Sequence, residues 1–176
     1  MRLIALALAT AVLVAPQVAV AAPPCLTPAE FTALSSYALP TVISGAARRC
    51  ASALPADAWL TRNGPALANR YASVRPAAWP QARAAMLKLS SGSASGDAAN
   101  LFRTMPDDSL KQMLEGVVSG MVGDKIPTQR CGSIDQMIRL LSPLPPENTA
   151  ELIAVTVGLG AVRGGGRLGM IKVCPA

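Results

Sequence analysis

The chain has 176 residues, of which 51% are hydrophobic, 15% are charged and 3% are aromatic, and its formal net charge is +6. This composition excludes an intrinsically disordered chain, which would be poor in apolar residues. Because Ala, Leu, Val, Ile and Met must build the core, closely packed helices are favoured over sheets. We therefore predict an all-α fold, a compact bundle of about six to eight short helices stapled by two disulfides.

The first 21 residues have the pattern of a cleaved signal peptide. Arg2 supplies a positive start, residues 3–14 are apolar or small, and residues 19–21 match the small-residue cleavage pattern. Cleavage after Ala21 leaves residues 22–176 as a single helical domain, which we expect in the periplasm, with secretion as the alternative. No later apolar run approaches the roughly 18–20 residues that span a bilayer, so we expect no transmembrane segment in the mature chain.

A helix is predicted to begin after Thr27, because Pro28 follows it and Glu30 completes a capping box. We expect Pro40 to end this helix and to open a second one that runs to about Cys50. These two helices would form an antiparallel hairpin with equal arms, which places Cys25 and Cys50 side by side at its open end.

The next third of the chain is rich in proline, which predicts short helices over residues 57–62, 65–73 and about 80–89. The Ser/Gly-rich segment 90–96 is predicted to be a loop inside the domain. It separates a basic half from a charge-neutral half: residues 22–90 hold seven Lys or Arg and two acidic residues, whereas residues 91–176 hold eight of each.

The clearest helical pattern runs from Asp107 to about Gly123, where apolar residues recur at intervals of three and four. Gly116, Gly120 and Gly123 lie on one edge of this apolar stripe. Each glycine weakens a helix by about 1 kcal/mol relative to alanine, so we expect the three to permit close approach of a neighbouring helix.

Two further helices are predicted towards the end of the chain. Ser133 to Gln136 form a second capping box, which indicates a helix start. A final helix from about Glu147 to Leu159 is apolar nearly all round, which indicates a central position in the bundle. Its β-branched residues leave a strand as the alternative.

Four cysteines in an exported chain predict two disulfides, because the compartment is oxidising and the count is even. Of the three possible pairings we expect Cys25–Cys50, which would close the hairpin. The second bridge is then Cys131–Cys174, which would join the start of the Ser133 helix to the C-terminal tail.

The residues that usually carry catalysis are missing or badly spaced. The chain has no histidine, which excludes Ser-His-Asp and Cys-His mechanisms and every histidine-containing metal site. The cysteines are too dispersed for a zinc module. Glu147 and Glu151 lie one helical turn apart, and we interpret them as acidic residues that stabilise a helix start. We predict no catalytic residue, no cofactor and no metal.

The excess of positive charge in the first half directs the functional prediction. Arginine matches phosphate and carboxylate oxygens well, and an exported protein meets anionic envelope components rather than nucleic acid. The candidate anion-binding residues are Arg48, Arg49, Arg62, Arg70 and Arg75. We expect a non-enzymatic binding or structural module of the cell envelope with weak affinity for anionic surfaces.

Two alternative functions stay open. The first is a periplasmic carrier of a small apolar ligand, because methionines suit adaptable apolar pockets. Its candidate lining residues are Met86, Met113, Met121 and Met137. The second and more remote alternative is a cell-wall glycosidase that works with a single glutamate.

Overall fold

The computed structural model describes residues 25–93, 96–162, 167–168 and 171–174. The predicted signal peptide, residues 1–21, lies outside the described residues. The helices are α1 (Pro28–Cys50), α2 (Trp59–Ala72), α3 (Arg75–Ser93), α4 (Gly96–Thr104), α5 (Asp107–Lys125), α6 (Cys131–Leu141) and α7 (Pro146–Val162). A 3-10 turn, Thr128–Arg130, precedes α6, and two short strands, β1 (Arg167–Leu168) and β2 (Ile171–Lys172), pair antiparallel. The predicted compact all-α bundle is confirmed.

The central helix of the bundle is α1, which packs against α2, α3, α5 and α7. The predicted capping box at its start is confirmed: Glu30 N–H donates to Thr27 Oγ1 at 3.3 Å, and Thr27 N–H donates to Glu30 Oε2 at 2.7 Å. The predicted helix break at Pro40 is wrong, because Pro40 lies inside α1 and is buried. Packing on several sides outweighs the roughly 3 kcal/mol that an internal proline costs a helix.

The expected pairing of Cys25 with Cys50 is also wrong, because α1 is continuous. At 1.5 Å per residue, the 23 residues of α1 span about 34 Å, so Cys25 and Cys50 lie at opposite ends of the bundle. Bonded cysteines need Cα atoms within about 7 Å of each other. The bridges are Cys25–Cys174, with Cα atoms 5.1 Å apart, and Cys50–Cys131, with Cα atoms 5.5 Å apart.

The two ends of the described chain are held together at the Cys25–Cys174 bridge. Leu26 N–H donates to the Lys172 carbonyl at 2.8 Å, and Cys174 N–H donates to the Leu26 carbonyl at 2.8 Å. Leu26 and Val173 are both fully buried. The bridge therefore reinforces a short backbone ladder and an apolar contact.

Apolar side chains form two buried clusters, one towards each end of α1. The first surrounds Phe31 and includes Trp79, whose ring centroid lies 5.0 Å from that of Tyr37. The second surrounds Leu60 and Tyr71 between α1 and α2, and Trp59 packs against it. Both tryptophans are thus part of the packing.

The proline-rich third of the chain forms longer helices than its sequence predicts. The segments predicted over 57–62 and 65–73 are one helix, α2, with Pro65 inside it, and α3 likewise contains Pro80. The Ser/Gly-rich segment 90–96 is not a loop throughout. α3 includes residues up to Ser93, α4 begins at Gly96, and residues 94–95 lie outside the described residues.

The predicted extent of α5 is confirmed, but its glycines have a different role from the expected one. A Cβ atom added at Gly116, Gly120 or Gly123 would meet nothing within 4 Å, so these glycines do not face a neighbouring helix. Val117 and Met121 on the same helix are about half exposed. The apolar stripe of α5 is therefore wider than the surface that its neighbours cover.

The last helix, α7, is helical as expected and not a strand, but it is not central. Ala150 and Ala154 are buried against the bundle, whereas Leu152, Val155 and Leu159 are exposed. It packs on α1 through one face, and the central position belongs to α1. Among the described residues, no helix is long and apolar enough to cross a membrane.

The start of α6 also differs from the predicted one. The helix begins at Cys131, directly after the 3-10 turn, so Ser133 and Gln136 are not its capping box. The Asp135 carboxylate instead accepts a hydrogen bond from Leu60 N–H at 2.5 Å. Since Ala58, the residue that precedes α2, offers no side-chain cap, Asp135 caps α2 from another helix.

Replacing Asp135 by alanine is expected to lower the free energy of unfolding by about 1 kcal/mol, the usual cost of a lost cap. Asp135→Asn should cost less, because its side-chain oxygen still accepts from Leu60 N–H. Urea unfolding measures both values. Asp124→Ala, which removes an exposed carboxylate near the end of α5, is the control for the change in charge. Equal losses for Asp135→Ala and Asp124→Ala would contradict the capping role.

Candidate anion-binding surface

Arg75 is the most enclosed of the five candidate arginines, and its guanidinium joins three helices. From the start of α3 it donates to the Tyr37 carbonyl at 3.0 Å and to Thr41 Oγ1 at 2.6 Å, both on α1. It also pairs with Glu115 Oε1 on α5 at 2.8 Å. Burial raises the pKa of the Tyr37 phenol above its ordinary value, and the Glu115 carboxylate adds to that increase. Arg75 is therefore a cross-link of the bundle, with its charge already neutralised.

Arg48 and Arg75 line one polar cleft, which lies between α1, α2 and α5 and has a volume of about 450 Å³. Arg48 Nη2 donates to Ser119 Oγ at 3.2 Å across this cleft. Within the described part of the chain, Arg48 pairs with no carboxylate. Its charge is therefore available to an anion at the mouth of the cleft, whereas that of Arg75 is not.

The other three candidate arginines contact different parts of the molecule. Arg49 Nε donates to the Ile126 carbonyl at the end of α5, at 3.1 Å. The Arg70 guanidinium donates to the Ser142 carbonyl and lies over the Tyr71 ring. Arg62 is exposed on the outer side of α2. The five predicted arginines are thus distributed over several faces and do not form one patch.

The structure brings together a different set of cations, which we call the basic end: Arg48, Arg49, Lys125 and Arg130. All four are exposed. Arg49 reaches Ile126, the neighbour of Lys125, and Arg130 precedes Cys131, whose Cα atom lies 5.5 Å from that of Cys50. With 3.8 Å between consecutive Cα atoms, the backbones of Arg49 and Arg130 are at most about 13 Å apart.

Sequence reasoning missed Lys125 and Arg130 because they belong to the charge-neutral half of the chain. Some 80 residues separate them from Arg48 and Arg49. The Cys50–Cys131 bridge is the only sequence signal that could have joined the two pairs. With the expected pairing, Cys50 and Cys131 had no reason to be neighbours.

The methionines expected to line an apolar pocket do not share one. Met86 and Met113 pack against the first buried cluster, whereas Met121 and Met137 are 49% and 58% exposed. Among the described residues, no three His, Cys, Asp or Glu side chains lie close enough together to hold a metal ion.

Comparison with known proteins gives no match to this chain among family models, curated proteins or solved structures.

Proposed function

We propose that this protein is exported through its N-terminal signal sequence and works without catalysis as a cell-envelope module that associates weakly with anionic surfaces. The supporting observation is the basic end, where four exposed cations from distant parts of the sequence lie beside the Cys50–Cys131 bridge. Two disulfides are typical of proteins in an oxidising compartment, and the periplasm is the compartment we favour.

The expected affinity is low. An exposed Lys or Arg near an anionic membrane contributes about 1 kcal/mol, so the four residues of the basic end together contribute about 4 kcal/mol. That free energy corresponds to a dissociation constant near 1 mM, which suits reversible association with a surface that offers many sites. Salt should weaken the interaction strongly, because the Debye length falls from about 10 Å at 0.1 M to about 3 Å at 1 M.

Co-sedimentation of the mature protein with lipid vesicles tests this proposal. We expect binding to vesicles that contain phosphatidylglycerol, loss of that binding at 1 M salt, and none to pure phosphatidylcholine. The triple variant Arg49→Gln, Lys125→Gln, Arg130→Gln should bind roughly 100-fold more weakly, since it removes about 3 kcal/mol.

A matched control removes the same charge elsewhere: Arg103→Gln, Arg139→Gln, Lys172→Gln. These three residues are exposed, and Lys172 lies beside Leu26 at the opposite end of α1. The control should bind almost as the wild type does. Equal losses in the two triple variants would show that net charge alone directs binding, and undiminished binding to neutral vesicles would contradict an electrostatic mode. Either result would overturn the proposal.

A further inference from the structure

The two disulfides differ in how far solvent can reach them. Cys50 and Cys131 are 0% and 1% exposed, so their bridge lies inside the protein. Cys25 and Cys174 are both partly exposed, and their bridge lies beside the start of α1. A thiolate breaks a disulfide by direct attack on one of its sulfur atoms, so the rate depends on access. A reductant can therefore reach the Cys25–Cys174 bridge in the folded protein, whereas the other bridge reacts only after the surrounding structure opens.

A cation lies near the accessible bridge. Lys172 and Cys174 belong to an extended segment, since Leu26 N–H donates to the Lys172 carbonyl and Cys174 N–H donates to the Leu26 carbonyl. Side chains alternate along an extended chain, so those of Lys172 and Cys174 share one face. Lys172 is exposed and forms no ion pair with any described residue. Its ammonium group therefore attracts an incoming thiolate and stabilises the thiolate that leaves.

We propose that Cys25–Cys174 is a thiol–disulfide exchange site for a dithiol, and that Cys50–Cys131 is a permanent structural bridge. One thiolate of the dithiol attacks a sulfur atom of the accessible bridge, forms a mixed disulfide and displaces the other cysteine as a thiolate. The second thiolate of the dithiol then attacks the mixed disulfide and releases the remaining cysteine. Two electrons pass to the protein, the dithiol is oxidised to its disulfide, and the two cysteine thiolates take up the two protons that the dithiol lost.

Reduction of this bridge loosens the C-terminal segment 171–174 from the start of α1. The segment is then attached to Leu26 through two backbone hydrogen bonds and the contact of Leu26 with Val173, both of which are fully buried. These two residues belong to the first buried cluster, so opening of the segment exposes part of that cluster. The basic end keeps its shape, because the Cys50–Cys131 bridge beside it stays closed. The proposal is therefore independent of the proposed function.

Partial reduction of the folded mature protein tests the exchange site. Dithiothreitol is added at mildly alkaline pH, portions are alkylated with iodoacetamide at successive times, and peptide mapping measures each bridge. We expect Cys25–Cys174 to be reduced at least about 100-fold faster than Cys50–Cys131, because the buried bridge reacts only after opening. Circular dichroism should show an unchanged helical signal while the first bridge is reduced. Equal rates for the two bridges, or loss of the helical signal together with the first bridge, would overturn the proposal.

Substitution of Lys172 tests the role of the neighbouring cation. Lys172→Gln should slow reduction of the Cys25–Cys174 bridge about two- to fivefold, the factor that corresponds to one exposed charge interaction. Arg139→Gln, which removes an exposed cation from α6, is the matched control and should leave the rate unchanged. Equal rates for these two variants would overturn the role assigned to Lys172.

Amide hydrogen exchange, measured by NMR before and after selective reduction, tests the loosening of the C-terminal segment. We expect faster exchange at Leu26 and Cys174, whose N–H groups form the two backbone hydrogen bonds beside the bridge. Leu60 N–H, which donates to Asp135 far from this bridge, should keep its rate. Unchanged exchange at Leu26 and Cys174 in the reduced protein would show that the segment stays attached and would overturn this part of the proposal.

Discussion

Replacing Cys25 and Cys174 together by alanine is expected to lower the free energy of unfolding by about 5 kcal/mol, and replacing Cys50 and Cys131 by about 4.5 kcal/mol. The reason is loop closure in the unfolded chain: the bridges join residues 149 and 81 positions apart, and longer loops lose more entropy. Domains of this size are stable by roughly 5–15 kcal/mol, so either loss is a large part of the total.

Urea unfolding of the two double variants, without reducing agent, measures these losses. Alanine suits Cys50 and Cys131, which are 0% and 1% exposed, because serine would bury an additional hydroxyl. Double variants also avoid a leftover thiol. If both variants have free energies of unfolding within about 1 kcal/mol of the wild type, the expected effect of loop closure on stability is contradicted.

Peptide mapping without reduction checks the pairing itself. Cleavage after Lys and Arg should release residues 50–62 joined to residues 131–139, because Arg49 and Arg130 directly precede the two cysteines. The peptide that ends at Arg48 should be joined to residues 173–176. Recovery of the Arg48 peptide joined to residues 50–62 would instead support a Cys25–Cys50 bridge.

The sequence predicted the helical class correctly because that class depends on local periodicity. In α5 the spacing of apolar residues and the acidic first turn were sufficient to place the helix within a few residues of its observed ends. The disulfide pairing depended on something that is not local: whether α1 continues past Pro40. The free-energy cost of Pro40 to the helix is a local property, but the packing contacts that outweigh it come from α2, α3, α5 and α7. The wrong helix break at Pro40 therefore led to a wrong pairing for both disulfides.

The candidate site shows the same limit. Arg48 and Arg49 were predicted from the charge of the first half, yet two of the four residues of the basic end lie in the neutral half. Charge counted along the sequence cannot show which residues a bridge brings together. Arg75 had the right charge for an anion site, but Glu115, forty residues away, already occupies its guanidinium.

Gly45 on α1 lies at the contact with α5, where an added Cβ would lie 2.9 Å from Val122 Cγ1 and 3.2 Å from Val122 Cβ. Spacing singled out the α5 glycines because three of them recur within eight residues. Gly45 is the only glycine in α1, so no spacing pattern marks it. Its contact with α5 depends on how α1 is rotated against that helix.

Gly45→Leu is expected to lower the free energy of unfolding by about 3 kcal/mol, at the upper end of overpacking costs. Val122 is β-branched and restricted to one main rotamer in a helix, so it cannot turn away from the new side chain. Gly120→Leu, in open space, should instead raise stability by about 0.5–1 kcal/mol through helix propensity. Adding Val122→Ala to Gly45→Leu should recover part of the loss, because the smaller side chain makes room.

Urea unfolding of these variants measures both the sign of each change in stability and the coupling between positions 45 and 122. If Gly45→Leu and Gly120→Leu change the free energy of unfolding in the same direction, or if Val122→Ala recovers none of the stability lost in Gly45→Leu, then α1 and α5 do not meet at Gly45.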